Sequence, residues 1–376
     1  MKKKVLVAIP WHAGGINAIL PIISALIDKS DIELITIADR RAKDYLKGKD
    51  VGYIPIDFYD EEYFSLMAMV KLLREKSPDL VITSTGGPQK EGYRDLINQK
   101  VVLAARELRI GSLVVLDAWT EYIEKFSDIF TNELFKFLPD KIAVMDSFAK
   151  EEMIKKGFPK SKLIVTGNPF FEDLREKKLA DREPELMGIV KDCNLLISYI
   201  TNCAEKYKEI LGYWDLDNIA IIGDIFNSLH KKYRESFCLI VALHPNTPEK
   251  EHQKIKNYVD GISGRAEVVK GIDVQDLVLA SDLVLNAWST VAIEAVLMKK
   301  PCISMQPGLK TEDQLVVSKR GIIPVGYTKG ECEKIVKKAI TDKYYREIGV
   351  VRNYSKFKVG NRAKQKIIEL ISEMLK

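Results

Sequence analysis

Short segments that are apolar at nearly every position recur along the chain, each followed by a stretch long enough for a helix. That alternation limits the fold more than any other feature. A strand with apolar side chains on both faces must be covered on both, which is the condition of a parallel sheet sandwiched between helices. Val5 to Ile9 opens the series, and Ile32 to Ile37, Tyr53 to Ile56, Leu80 to Thr83, Ser112 to Leu116, Ile142 to Met145 and Leu163 to Val165 continue it. Helices are expected over Ala18 to Asp28, Glu61 to Glu75 and Asn98 to Leu108. A second series runs through Leu195 to Ile200, Ile219 to Ile222, Phe237 to Leu243, Glu267 to Val269, Leu283 to Asn286 and Cys302 to Met305, with a helix over Thr290 to Met298. Ile367, Ile368, Leu370, Ile371 and Leu375 then recur at helical spacing, which predicts an amphipathic terminal helix over Arg362 to Leu375.

Two series in 376 residues mean two cores. The expectation is an α/β protein of two facing Rossmann-like domains with mostly parallel sheets, binding a ligand in the cleft between them. The first domain spans residues 1–167 and the second 189–350; residues 351–376 carry the terminal helix. The charged segment 168–188, broken by Pro169 and Pro184, reads as the connection. Hydrophobic residues at 46% against 30% charged are globular proportions. A net charge of +5, spread along the chain, is too weak for a nucleic-acid groove and suits anionic ligands or loose contact with an anionic membrane. The five cysteines (Cys193, Cys203, Cys238, Cys302 and Cys332) show no paired spacing and read as reduced, packing thiols. Val5 to Ile9 is too short for a signal-peptide core, and no uncharged run has the length of a membrane span. A cytoplasmic protein is expected, with peripheral contact at the inner membrane face and homodimer formation left open. The apolar helix Tyr63 to Leu73 reads as core-facing, against a face for a membrane or lipid acceptor.

Several strand ends carry residues suited to chemistry. In parallel sheets ligands bind beyond the carboxyl ends of the strands. After the first strand, Gly14 and Gly15 stand in a loop before a helix, where backbone can approach a ligand closely; the alternative is a tight turn. His12 in the same loop is an acid or base, or a turn cap. Asp117 leaves an internal strand beside Trp119, with Glu121 following; it reads as a general base in a partly apolar setting or as a helix cap. Gly167, Asn168 and Pro169 form a sharp exit from the first half. His244 and Asn246 lie at another strand end, as ligand contacts or turn residues. Trp288, Ser289 and Thr290 precede a helix bearing Glu294. The two hydroxyls either hold a diphosphate or cap the helix, and Glu294 either meets a ribose diol or faces solvent. The four histidines form no ligand-spaced pair, and Asp215 and Asp217, a lone D-x-D, sit in a connecting segment, so no metal is expected.

Taken in order, these segments resemble the glycosyltransferase-B superfamily, in its UDP-N-acetylglucosamine 2-epimerase-like branch. The residues that carry the resemblance are Gly111 to Asp117 at the acidic strand end, Val165 to Pro169 at the domain exit, Ala242 to Asn246 at the His-bearing strand, and Asn286 to Thr290 with Glu294 and then Lys300 and Pro301. Gly14 and Gly15 with Pro21 look like the acceptor-side loop of transferases that use lipid-linked sugars. The resemblance implies two facing Rossmann domains, a nucleotide seated mainly on the second, Glu294 at the ribose, and a terminal helix crossing back. Two features depart from that branch. Ser198 to Cys203 stands where a His- and Arg-rich run is usual, and Trp288 stands where twin glycines are usual.

These departures favour transfer over epimerisation. The expected function is a metal-independent glycosyltransferase, using a nucleotide-activated, UDP-like sugar as substrate with no cofactor and acting in polysaccharide biosynthesis. His12 or Asp117 would deprotonate a lipid-linked or saccharide acceptor, while Ser289 and Thr290 would stabilise the departing diphosphate. One alternative is a nucleotide-sugar 2-epimerase or hydrolase with Asp117 and Glu121 as acid and base. Another is a non-catalytic ligand-binding relative.

Overall fold

The computed structural model describes residues 2–49, 51–56, 65–86, 96–128, 130–176, 188, 193–202, 204–233, 237–359 and 361–376. They divide into two compact units, Met1–Asp173 with Val359–Lys376, and Leu174–Lys358.

The first unit is built on a seven-stranded parallel sheet of β1 (Lys3–Ile9), β2 (Ile32–Asp39), β3 (Ile54–Ile56), β4 (Leu80–Ser84), β5 (Gly111–Val115), β6 (Lys141–Val144) and β7 (Leu163–Val165). The strand order is β3-β2-β1-β4-β5-β6-β7, so the winding reverses between β1 and β4. Such a reversal opens a crevice at the carboxyl edge, because the connections leave in opposite directions. Helix α1 (Ala13–Ile27) covers the sheet through Ile16, Ile19, Ile22, Ile23 and Leu26. Helix α2 (Leu66–Lys76) is capped by Ser65, whose Oγ accepts from Ala68 N, and buries Met69, Val70 and Leu73, as a core-facing helix should. Residues 57–64, where its start was expected, lie outside the described residues. Helix α3 (Leu96–Leu108) follows β4, and α4 (Tyr122–Phe126) follows β5.

The second unit has a six-stranded parallel sheet of β8 (Leu195–Ile200), β9 (Phe237–Leu243), β10 (Arg265–Lys270), β11 (Leu283–Asn286), β12 (Cys302–Met305) and β13 (Val325–Gly326). Its order, β10-β9-β8-β11-β12-β13, again reverses at the centre, between β8 and β11. Register pairs Ile200 with Asn286, which brings Thr201 and Ala287 to one edge.

Four expectations are corrected. Ile219 to Ile222 is not a strand: it lies within helix α5 (Asp215–Tyr233), where Leu216, Ile219, Ile222, Phe226 and Leu229 form one stripe at helical spacing against the second core. A short apolar run reads the same in either state, and the flanking period decides. The sixth strand is instead β13, two residues long. Asp215 and Asp217 open α5 and are not in a connecting segment. Asp215 Oδ1 accepts from Tyr199 Oη at 2.7 Å, and Asn218 bridges Tyr199 Oη and Met305 O, each at 2.9 Å. Gly14 and Gly15 do not precede the helix but lie in the first turn of α1. Apart from these corrections, the segment 168–188 opens with a helix, Pro169–Glu176, and residues 177–187 lie outside the described residues.

Finally, Cys193 and Cys238 are joined as a disulfide, their Cα atoms 5.8 Å apart. Cys193 stands two residues before β8, and the β8–β9 register sets Leu196 opposite Cys238, a proximity that their 45-residue separation conceals. Cys302 and Cys332 are buried free thiols, and Cys203 lies outside the described residues.

The terminal amphipathic helix, α6 (Ala363–Met374), packs Ile367, Leu370 and Ile371 into the first unit's core beside α1. Lys364 anchors it, its backbone N donating to Glu172 Oε2 and its Nζ pairing with Asp173 at 2.6 Å. Among the described residues no helix is long and apolar enough to cross a membrane.

Candidate active site

The reversal point of the first sheet is crowded by small residues for a steric reason. An ideal Cβ on Gly15 would stand 2.5 Å from Thr85 O, 2.6 Å from Pro10 Cγ and 3.1 Å from Ser84 Oγ. Only glycine lets the start of α1 lie this close to the end of β4. Ser84 Oγ donates to Gly15 O at 2.7 Å and Thr83 Oγ1 to Ala8 O at 2.8 Å, tying β4 to β1 and α1. His12 occupies the N-cap position of α1 with extended backbone, but its side chain does not cap the helix. The turn-cap reading therefore fails in its side-chain form.

Asp117 emerges one strand away, and its setting differs from the expectation. It does not stand in an apolar pocket with Trp119, whose Nε1 turns to Asp146 Oδ1 at 3.1 Å and whose ring stacks on Phe171. Lys125 Nζ lies 2.7 Å from Asp117 Oδ1, and the two side chains are only 3% and 5% exposed. Thr85 Oγ1 donates to the same oxygen and accepts from Asp117 N at 2.9 Å. Oδ2 is turned towards Gly14, where an ideal Cβ would stand 3.0 Å from it and 3.6 Å from His12 Nδ1. Carboxylate and imidazole thus converge on the bare face of Gly14. Burial pushes the His12 imidazole below its ordinary value; the Asp117 charge opposes this and the Lys125 charge adds to it. The arrangement is a neutral imidazole with a fixed carboxylate nearby, which suits proton acceptance.

Glu121 is exposed and adopts left-handed backbone (φ 55°) at the head of α4. Its carbonyl accepts from Lys125 N at 3.0 Å, so it starts the turn that carries Lys125 to Asp117. Asn168 is buried and spent on backbone, its Oδ1 accepting from Phe170 N at 3.0 Å. It acts as a strut at the domain exit. Sequence reasoning missed Thr85 and Lys125. The small polar run Ser84 to Gly87 at a strand end was a usable signal for Thr85; a lysine in a short segment offers none, because most lysines face solvent.

On the second sheet, Thr201 Oγ1 accepts from His244 N at 2.8 Å, holding the ends of β8 and β9 together. His244 is exposed. Its Nδ1 accepts from Asn246 N at 3.1 Å, so the neutral ring carries its proton on Nε2. Asn246 is exposed as well. Beyond β11, Asn286 is buried against Cys302 Sγ and Ile303 O, and Ser304 Oγ holds Ala287 O. Trp288 is half-buried against a cluster of Tyr213, Trp214 and Ala287. Ser289 Oγ accepts from Val291 N at 3.2 Å, a partial cap for the helix Val291–Leu297, while Thr290 is exposed. Glu294 is buried at 8% exposure, which excludes the solvent-facing reading. In the run that departs from the family, Ser198 is hydrogen-bonded to Ser281 at 2.6 Å within the core.

No family model and no curated protein matches the chain. Solved structures do. A UDP co-structure of MnaA from S. aureus is 15% identical, covers 100% of this chain and 97% of its own, and superposes with a TM-score of 0.70. A putative UDP-N-acetylglucosamine 2-epimerase from Listeria monocytogenes is 15% identical over 99% of this chain and 96% of its own, with a TM-score of 0.71. A glycosyltransferase from Rickettsia africae ESF-5 is 14% identical over 100% and 99%, with a TM-score of 0.65. The chain has the glycosyltransferase-B fold. Both Rossmann-like units of this GT-B chain, and the return of its terminal helix to the first, fall within the likeness. At such identity the shared property is the fold, and the chemistry has to come from the side chains just described.

Proposed function

We propose that this chain is an enzyme acting on a nucleotide-activated sugar, a UDP-sugar in the first instance, and that it transfers the sugar to an acceptor hydroxyl without a metal ion. The observation that carries the proposal is the convergence of a half-buried, neutral His12 and a fixed Asp117 at the reversal point of the first sheet. Similar structures solved with UDP and with UDP-GlcNAc support the substrate class.

In this reading His12 accepts the acceptor's hydroxyl proton as the new bond to the anomeric carbon forms. The anomeric carbon–oxygen bond breaks, and its electron pair leaves on the nucleoside diphosphate. Asp117 stabilises the imidazolium that results, the role a carboxylate plays beside any general-base histidine. Ser289 and Thr290 donate to the diphosphate, His244 Nε2–H assists there, and Glu294 accepts from the ribose hydroxyls.

A second reading is epimerisation or hydrolysis of the same substrate, favoured by the higher TM-scores of the 2-epimerase structures, 0.66–0.71 against 0.61 and 0.65 for MurG and the glycosyltransferase. Incubation of the protein with UDP-GlcNAc alone, followed by NMR, separates the two. Transfer predicts an inert donor until a saccharide or lipid-linked acceptor is added. Epimerised or free sugar without acceptor selects the second reading, and no thermal shift with any nucleotide removes both.

A further inference from the structure

Lys125 is a cation in a place that stability does not demand. A buried Lys–Asp pair loses as much in desolvation as it gains in attraction, and apolar residues of similar volume serve a core equally well. Here the pair is nonetheless built from four directions. Left-handed Glu121 starts α4, Tyr122 and Phe126 anchor it in the core, and Phe126 packs edge-on against Phe158 at 5.5 Å. Lys125 then meets Asp117 Oδ1 at 2.7 Å, and Thr85 binds both that oxygen and the Asp117 backbone N. A carboxylate held this way cannot rotate: Oδ1 is occupied, and Oδ2 is the oxygen presented over Gly14, towards His12 Nδ1.

We infer that Lys125 is a positioning residue for the proton transfer assigned to His12, locking Asp117 through Oδ1 so that Oδ2 alone serves the imidazole. The inference rests on the reading of His12 as the base. It is supported by the electrostatics: after burial, the charges acting on His12 are Asp117 from the end of β5 and Lys125 from α4, with opposite signs. The next charge along is Arg41, which lies over the Trp11 ring at 4.6 Å and is itself paired with Asp39. Trp11 stands edge-on to His12, with ring centres 6.1 Å apart.

The test uses the full chain with Lys125→Met and Lys125→Arg. The His12 imidazole is titrated by two-dimensional NMR in the free protein, its signal assigned by loss in His12→Asn. Lys125→Met should move the His12 titration upward, because the opposing cation is gone and the carboxylate remains; Lys125→Arg should leave it near wild type. In turnover, Lys125→Met should lower kcat/KM by about 10²-fold, the scale of a small misplacement of a reacting group, with nucleotide affinity by calorimetry unchanged. Lys125→Met combined with Asp117→Leu should recover the melting temperature and not the activity. A wild-type His12 titration in Lys125→Met, with only the melting temperature lowered, makes Lys125 structural and overturns the inference. If Lys125→Met does not fold, Lys125→Gln carries the same measurement, since its amide can still reach Oδ1 without charge. The titration needs no substrate, so it decides the role of Lys125 even if the transfer reading itself fails.

Discussion

Replacing Gly15 with Ala puts the crowded reversal point to a quantitative test. In an ordinary helix this change stabilises by up to about 1 kcal/mol, since glycine is the more flexible residue unfolded. At position 15 the new Cβ would stand 2.5 Å from Thr85 O and 2.6 Å from Pro10 Cγ, against ordinary contact beginning at 3.4 Å. The start of α1 or the end of β4 must therefore yield by about 0.9 Å. Both obstacles are stiff: one is backbone at the centre of a sheet and the other a proline ring. Overpacking of this kind costs about 1–3 kcal/mol, and the Ser84–Gly15 hydrogen bond adds about 1 kcal/mol if it breaks. Set against the helix gain, the net expectation is a loss of about 1–3 kcal/mol. Gly14→Ala is the internal control. Its Cβ would stand 3.0 Å from Asp117 Oδ2, a shortfall of about 0.4 Å against a side chain and not backbone, so it should lose clearly less stability than Gly15→Ala. Urea unfolding followed by tryptophan fluorescence gives both midpoints, with Trp11 and Trp119 reporting the first unit. Equal or greater stability of Gly15→Ala relative to Gly14→Ala would refute the close approach of α1 to β4.

Cys193→Ser should destabilise the second unit by about 4 kcal/mol at most, the loop-closure value for a 45-residue separation, and reductant should lower the wild-type melting temperature but not the variant's. An unresponsive wild type would mean that the bridge does not form. For His12 the sign follows from its lowered value: as pH falls below about 6.5 the unfolded chain takes the proton first, so stability present above that pH is lost. His12→Gln should remove this loss, which urea midpoints of the two proteins across pH 5–8 will register as curves that part on the acid side. Glu294→Ala should weaken UDP binding at least tenfold by calorimetry, while His244→Ala weakens it less because that side chain is exposed; unchanged affinity in the first variant removes the ribose assignment.

The strands were largely legible from the residues alone, and so was the last helix, whose return to the first unit the resemblance implied. β7, β8, β9, β11 and β12 fall where the apolar runs place them, because a strand covered on both faces leaves its mark in consecutive residues. The terminal helix repeats its apolar stripe within a few turns, and that too is local information. Ile219 to Ile222 misled because four apolar residues satisfy either period, and the helix was decided by Leu216 and Phe226 on either side and by the core they meet. Gly14 and Gly15 read as a loop because glycine disfavours helices; the closeness of Thr85 O explains why a helix begins on them all the same.

For the candidate site the division is sharper. His12 and Asp117 stood out as candidates at strand ends, and Glu294 on the helix after one, because alternation alone locates the carboxyl edge of a sheet. Their company was not. Thr85, Asp117 and Lys125 come from three different elements, and Cys193 reaches Cys238 only through the register of two strands. Strand order and register bring these distant residues together, and neither is written in the local pattern: the same apolar runs fit many orders. The Lys125 charge, the buried state of Glu294 and the disulfide are therefore properties of the folded sheets, as is the two-residue strand β13, while the long apolar strands, their edges and the residues waiting there belong to the chain itself.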